Sequence, residues 1–172
     1  AVLLRQGEDK KAFNILQDGI KALKTTQSYH DKTGFAAFYV KALFRNGKTK
    51  NAIRYAESFL RAHEAEQIFT QRWHIFFTNY LQALTQEEAF LQIIELDRKY
   101  KLESREAEYA KRKSYLPHLL VYLQLAKYQE GRTSEDEFSN FLTSALEVVS
   151  EREQYKMKEL LEELRSYVPS LV

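Results

Sequence analysis

The segment closest to a metal-binding motif runs from His63 to Gln67 and consists of His-Glu-Ala-Glu-Gln. A zinc site built on one helix needs two histidines four residues apart, so that both imidazoles reach the metal from the same face. Here Gln67 occupies the second position, and an amide does not replace the imidazole. The segment therefore predicts no zinc-dependent hydrolysis, and we interpret it as a solvated helix end.

The other side chains that could act in catalysis are scattered. His30, His74 and His118 are isolated in sequence, and a single histidine among aromatic residues is more often packed than catalytic. The five glycines are too far apart for a phosphate-binding loop, and no Gly-X-Ser-X-Gly turn is present. Adjacent carboxylates such as Glu87 and Glu88 point to different sectors of a helix. We therefore predict a protein that is not an enzyme and that uses no cofactor and no metal.

Basic residues close to aromatic ones could bind the phosphates and bases of a nucleic acid. Lys48, Lys50 and Arg54 follow one another, and a Lys-Arg-Lys run at 111–113 lies between two tyrosines. Residues 1–60 carry eleven Lys and Arg against five Asp and Glu, a net charge of +6, whereas residues 61–172 carry fifteen against nineteen, a net charge of −4. The near-balanced total of +2 and the lack of a nucleic-acid-binding motif make direct nucleic-acid binding an unexpected function.

The composition indicates which elements must position these side chains. Only two prolines and five glycines interrupt 172 residues, and good helix formers predominate, so the fold class predicted is all-α. No apolar run approaches the roughly 20 residues that span a bilayer, so no membrane association is expected. The lack of cysteine suits a reducing compartment, and we expect a cytoplasmic protein. Because Ala1 leads into a helix without a capping residue, we expect a piece of a longer protein.

A forty-residue repeat organises the predicted helices. Residues 3–12 (LLRQGEDKKA) and 43–52 (LFRNGKTKNA) match at Leu, Arg, Gly and Ala with a constant offset of forty. Each stretch predicts a helical hairpin, because Gly can end one helix in the left-handed conformation and Ala in the next helix lets the two axes approach closely. The positions that continue this packing face are Leu16, Gly19, Ala56 and Phe59.

A third and weaker copy is predicted between residues 67 and 102. Its first helix spans 67–84, and Thr85 with Glu88 has the spacing of a capping box for the second helix, which runs to about Tyr100. The packing positions of that second helix are Ala89, Ile93 and Leu96.

A fourth copy is predicted around Gly131, which ends one helix before a turn that is two residues longer. Pro117 lies in the first turn of that helix, where its missing N–H has no cost. Ser134 with Glu137 predicts a capping box for the following helix. The packing positions of that following helix are Phe138, Leu142 and Ala145.

These hairpins resemble tetratricopeptide repeats, which place a small residue before the turn and Ala early in the second helix, although Leu84 stands where the third copy needs Gly. The forty-residue spacing is also similar to the longer helix pairs of bacterial signalling and regulatory proteins. The resemblance implies antiparallel helix hairpins stacked as a right-handed solenoid with a C-terminal capping helix. The single domain 1–172 then comprises a partial first repeat 1–28, repeats 33–65, 67–102 and 117–149, an extra helix 104–115 and a cap 151–168.

In such an array the first helix of each pair lines a concave groove. Lys41 and Arg45 are four residues apart, on one helix face, and Arg5 is the repeat equivalent of Arg45. The arrangement resembles the cationic grooves with which some tetratricopeptide proteins hold a partner's carboxylates, although the same residues also fit a solvated helix face. The groove residues predicted for a partner are Arg5, Ala37, Lys41, Phe44, Arg45, His74, Thr78, Gln82, Val121, Leu125 and Gln129.

Three functions remain open at this point. The first is a non-catalytic module that binds a protein or a peptide, as a scaffold or as the sensor domain of a larger regulatory protein. The second is a regulatory helical domain that contributes to a signalling phosphatase, or to a transcription regulator whose DNA-binding part lies elsewhere. The third is a homodimerisation array, whose mass would depend on concentration.

Overall fold

The structure, a computed structural model, describes residues 2–23, 29–63, 70–110, 116–149 and 153–168. These ranges contain α-helices and no strand, which confirms the predicted all-α class. None of the helices described there has the length and apolar character needed to cross a membrane. The helices are α1 (Val2–Arg5), α2 (Asp9–Leu23), α3 (Tyr29–Arg45), α4 (Thr49–Ala62), α5 (Gln71–Gln86), α6 (Phe90–Tyr100), α7 (Leu102–Tyr109), α8 (His118–Gln129), α9 (Glu135–Glu147) and α10 (Gln154–Leu164).

The chain divides into two compact units, Ala1–Ala89 and Phe90–Val172, which we call unit 1 and unit 2. In unit 1, α3 is the central helix and packs against α2, α4 and α5. Its fully buried side chains are small, at Ala36, Val40 and Ala42, whereas α5 buries the large rings of Phe76 and Tyr80. Small residues on one helix and large ones on the other let the two axes approach and the core fill.

Four helix ends share one backbone geometry. At the ends of α1, α3 and α8, Gly7, Gly47 and Gly131 have positive φ values of 76°, 69° and 65°. The next residue in each case donates its N–H to the carbonyl oxygen five residues earlier, as in Glu8 to Leu3 and Lys48 to Leu43, at 3.0 and 2.9 Å. This is the Schellman motif, which satisfies carbonyl groups that a helix end would otherwise leave unpaired. The helix ends predicted at these three glycines are confirmed.

The fourth end of this kind is made by Glu88, which corrects the register predicted for the third copy. Glu88 has a φ of 54°, and Ala89 N–H donates to Leu84 O at 3.0 Å. Leu84 is thus the counterpart of Leu43, and the left-handed position that we expected at Leu84 lies four residues later. Thr85 lies inside α5 and is buried, so the predicted capping box of Thr85 and Glu88 is wrong.

The same correction moves the packing position of α6 by one helical turn. Counting from the left-handed residue, Ile93 corresponds to Ala12 and Ala52, and its side chain is 0% exposed. Ala89, which we predicted for that role, lies in the turn before α6. The end of α6 at Tyr100 agrees with the prediction.

Unit 2 is organised around α8, which packs against α6, α7 and α9. Pro117 is the N-cap residue of α8. The predicted capping box at the start of α9 is present: Ser134 N–H donates to the Glu137 carboxylate at 2.8 Å, and Glu137 N–H donates to Ser134 Oγ at 3.2 Å. Hydrogen bonds from the Ser134 backbone and then from its hydroxyl lower the pKa of Glu137.

One further boundary in unit 2 differs from the sequence prediction. The extra helix, α7, begins at Leu102 rather than residue 104, because Lys101 adopts a left-handed conformation with φ 54° and separates it from α6. In α10 the buried residues are Met157, Leu160 and Leu164, whereas Tyr155 is 57% exposed. The Lys-Arg-Lys run at 111–113 and residues 151–152 of the predicted cap lie outside the described residues.

Candidate partner-binding site

Four of the predicted groove residues have side chains inside the packed fold. In unit 1, Ala37 and His74 are 1% and 7% exposed, and Ala37 O accepts a buried hydrogen bond from Asn79 Nδ2 at 2.8 Å. In unit 2, Val121 and Leu125 are completely buried. The sequence prediction placed these side chains in a groove, and in the structure they lie in the packed interior of their own units. Their helices are covered on several sides, so spacing from a glycine did not identify an outward face.

Arg45 is exposed in part but is held by its own fold. Its Nη1 donates to Leu4 O at 2.6 Å, and its Nε lies 3.4 Å from Asp9 Oδ1, which is shielded from solvent. The neighbouring Asn46 donates from Nδ2 to Asp9 O at 3.1 Å. These contacts hold the end of α3 against the turn between α1 and α2. The Arg45 guanidinium therefore stabilises the packing of these helices and is not a free cation in a groove.

This contact recurs one repeat later. Thr49 corresponds to Asp9 as the first residue of its helix, and Gln86 corresponds to Arg45 as the last residue of its helix. Thr49 Oγ1 donates to Gln86 Oε1 at 3.4 Å. Within unit 1 the two matching segments therefore share a packing contact as well as a sequence pattern.

The remaining predicted groove residues belong to both units. Arg5 is exposed and has no partner within the described part of the chain. Gln129 is exposed in unit 2 and donates from Nε2 to Tyr167 O at 2.8 Å. The half-buried residues of the prediction are Lys41, Phe44, Thr78 and Gln82, of which Thr78 Oγ1 donates back to His74 O at 2.8 Å.

A surface pocket of about 320 Å³ lies in unit 1, where α2, α3 and the start of α4 meet. Its volume is at the lower end of the roughly 300–1,000 Å³ typical of ligand sites. We call it the α2–α4 pocket. Its described lining residues are Phe13, Gln17, Tyr39, Leu43, Lys48, Asn51, Arg54 and Tyr55.

Aromatic rings from three helices form one wall of the α2–α4 pocket. The rings of Phe13 and Tyr39 are nearly parallel, with centroids 6.1 Å apart, and the Tyr39 and Tyr55 rings meet edge to face at 4.8 Å. Burial raises the pKa of Tyr39, and burial followed by the proximity of Tyr39 raises the pKa of Tyr55 to about 12. Both phenols are therefore neutral at physiological pH and can donate hydrogen bonds.

Two cations stand at the rim of this pocket. Lys48 is exposed and its Nζ lies 4.1 Å above the centroid of the Phe13 ring, within the range of a cation–π interaction. Arg54 is exposed and its Nη2 donates to Asn51 Oδ1 at 2.8 Å. No acidic residue is among the described lining residues, so the pocket combines an apolar wall with positive charge.

The residues that line the α2–α4 pocket differ from the groove residues predicted from the sequence. Lys48 and Arg54 are recognisable in the sequence as basic positions near aromatic ones, but Phe13, Tyr39 and Tyr55 come from separate helices and form no linear motif. A signal was nonetheless available, because Phe13, Lys48 and Arg54 lie near the starts of the second helices of two matching repeats. Residues at matching positions of stacked hairpins become neighbours in space.

The His-Glu-Ala-Glu-Gln segment at 63–67 is the part of the sequence closest to a metal-binding motif. Among the described residues no group of three His, Cys, Asp or Glu side chains could hold a metal ion. His63 follows α4 and its ring contacts Phe59 at a centroid distance of 4.5 Å, while the rest of the His-Glu-Ala-Glu-Gln segment lies outside the described residues.

Comparison of the chain with protein-family models, with curated proteins and with solved structures yields no significant match. The function is therefore inferred from the residues and geometry of the chain itself.

Proposed function

We propose that this chain is a non-catalytic module that binds a protein or a peptide, acting as a scaffold or as the sensor part of a cytoplasmic regulatory protein. The observation that carries the proposal is the α2–α4 pocket, which pairs an aromatic wall with the exposed cations of Lys48 and Arg54. Protein-binding surfaces commonly combine aromatic side chains with Arg, which provide buried apolar area and directed hydrogen bonds.

We further propose that the helix pairs form a right-handed solenoid of the tetratricopeptide type, with α10 as its cap. Support comes from the Schellman ends at Gly7, Gly47, Glu88 and Gly131, which follow one another at 40, 41 and 43 residues. The paired contacts of Arg45 with Asp9 and of Thr49 with Gln86 support the same arrangement within unit 1. Solenoids use such extended surfaces to bind other chains.

Selection from a random peptide display library tests the binding function. The immobilised folded chain should enrich a family of related peptides, and the same chain denatured in urea should not. A synthetic copy of an enriched peptide should bind in calorimetry with a saturable stoichiometry near one, and mass spectrometry should recover that peptide unchanged. If the folded chain enriches nothing beyond the denatured chain, the peptide-binding proposal is wrong.

Light scattering at two protein concentrations separates this function from the dimerisation array. A partner-binding module keeps the same mass at both concentrations, whereas self-association raises the mass with concentration. Retention of peptide binding by a species that stays monomeric supports the proposed module.

A further inference from the structure

We propose that the α2–α4 pocket recognises an acidic segment of a partner protein, with carboxylates at Lys48 and Arg54 and an adjacent apolar side chain against the aromatic wall. This inference rests on the proposed peptide-binding function and names the chemistry of its partner. The occupant we infer is an extended peptide rich in Asp and Glu with at least one Phe, Leu or similar residue among them.

The charges at the pocket favour an anion. Lys48 and Arg54 are both exposed, and the described lining contains no carboxylate to neutralise them. The acids at the start of the neighbouring helix are already paired, since Glu8 lies 3.1 Å from Lys11 Nζ and Asp9 lies beside Arg45. The first turn of α4, which carries the rim, also contains no acidic residue, so the positive end of the helix dipole adds to the cationic rim.

The hydrogen-bonding groups of the wall suit the same occupant. Tyr39 and Tyr55 make ring contacts, yet within the described residues their hydroxyl groups have no hydrogen-bond partner. A neutral phenol donates well to a carboxylate, and hydrogen bonds to a charged acceptor are stronger than those between neutral groups. A carboxylate placed between the phenols and the cations would therefore receive hydrogen bonds from both sides.

A nucleic acid fits these contacts less well. Base stacking needs an accessible ring face, but Tyr39 packs against both Phe13 and Tyr55, and Lys48 covers a face of Phe13. A free small molecule also fits less well, because the exposed rim would leave much of its surface in water, whereas ligand sites usually bury most of their ligand. An extended peptide can continue onto the surface beyond the pocket.

The test is a repeat of the library selection with three forms of the full chain. These are the wild type, the double variant Lys48→Glu/Arg54→Glu, and a control double variant Arg61→Glu/Arg132→Glu. The control changes the net charge equally at exposed positions that do not line the pocket. All four substituted side chains are exposed, so each variant should fold, and circular dichroism with thermal melting verifies this before selection.

We expect the wild type and the control to enrich peptides rich in Asp and Glu that also contain an apolar residue. The pocket variant should bind the best of these peptides about tenfold more weakly or worse, because charge pairs become repulsions. A counterpart peptide with Lys in place of its acids should bind the pocket variant better than the wild type. Raising NaCl from about 0.05 M to about 0.5 M should weaken the wild-type complex by screening.

Three results would overturn the inference and are distinguishable from one another. If peptides are enriched without an acidic bias, or bind the pocket variant as well as the wild type, the module binds peptides by another surface and only the acidic assignment fails. If poly(U) RNA binds the wild type more tightly than the selected peptide and Lys48→Glu/Arg54→Glu abolishes that binding, the pocket is a nucleic-acid site. If nothing is enriched on the wild type, the peptide-binding function itself fails.

Discussion

Arg45 shows how a charged side chain near a surface can belong to the packing of the fold. Its guanidinium reaches the carbonyl of Leu4 and the shielded carboxylate of Asp9, so a substitution there changes stability before it changes any recognition. Arg5, the sequence equivalent, is exposed and makes no such contact within the described residues. The pattern of residue types predicted that the two positions match, but it could not predict that, within the described residues, Arg45 alone of the two contacts the turn of another repeat.

We predict that Arg45→Met lowers the free energy of unfolding by about 1–2 kcal/mol at neutral pH. The substitution keeps the aliphatic stem and removes both the hydrogen bond to Leu4 O and the charge partner of Asp9. Urea unfolding followed by circular dichroism measures the change. Arg5→Met is the matched control and should stay within about 0.5 kcal/mol of the wild type; equal losses in the two variants would mean that the contact to Asp9 contributes nothing.

The raised pKa of Tyr55 predicts that the protein loses stability in alkaline solution. Its pKa in the fold is about 12 against an ordinary value of 10.0, so the folded state holds the proton more tightly than the unfolded state. The stabilisation is fully present below pH 10 and is lost as pH rises toward 12, at up to about 1.4 kcal/mol per pH unit for this group.

Tyr55→Phe tests this prediction, because phenylalanine keeps the ring and cannot ionise. The variant should lose stability less steeply than the wild type between pH 10 and 12, as measured by urea unfolding at several pH values. An identical slope in the two proteins would show that Tyr55 does not titrate abnormally.

At the scale of elements, the repeated helix ends could be predicted where glycine marks them and not where it is absent. Gly7, Gly47 and Gly131 adopt the left-handed conformation that glycine accommodates readily. Glu88 makes the same turn, but its residue type does not indicate a left-handed conformation. The prediction therefore placed that conformation at Leu84, one helical turn too early. The capping box of Ser134 and Glu137 was predictable because it depends only on local spacing.

We predict that Glu88→Gly stabilises the protein by about 1 kcal/mol. A non-glycine residue in the left-handed region has a steric cost of roughly 1–2 kcal/mol, and glycine removes it at the expense of some unfolded-state entropy. Gly47→Ala should act in the opposite direction by about the same amount, since no neighbour lies within 4 Å of an added Cβ and only the backbone strain counts. Thermal melting of both variants measures the effects, and destabilisation by Glu88→Gly would contradict the assigned turn.

At the scale of the whole molecule, each unit has one helix that its neighbours surround. In unit 1 this is α3 and in unit 2 it is α8. Their buried positions include Ala36, Val40, Leu119 and Leu125, all 0% exposed. The α class and the pairing of helices followed from composition and repeat spacing, but which faces are covered depends on contacts between repeats, and a single helix pattern does not contain that information.

Hydrogen exchange should follow this organisation. We expect the amides of α3 and α5 in unit 1, and of α8 in unit 2, to exchange most slowly, because their opening exposes the most apolar area. The amides of α1 should exchange fastest among the described helices, since a helix of four residues has few internal hydrogen bonds to protect them. Mass spectrometry of peptic fragments measures the order, and equal protection of α1 and α3 would contradict it.

The row of rings that begins at the α2–α4 pocket has an optical consequence. From Tyr55 the contacts continue to Phe59 at 6.5 Å and then to Trp73 at 5.9 Å. Trp73 is the sole tryptophan of the chain and is 6% exposed, so its emission should be blue-shifted in the folded protein and red-shifted on unfolding. Because Tyr55 lies on the pocket wall and Phe59 connects its ring to the indole, we expect a ligand in the pocket to change the emission of Trp73, so that binding can be followed without a dye.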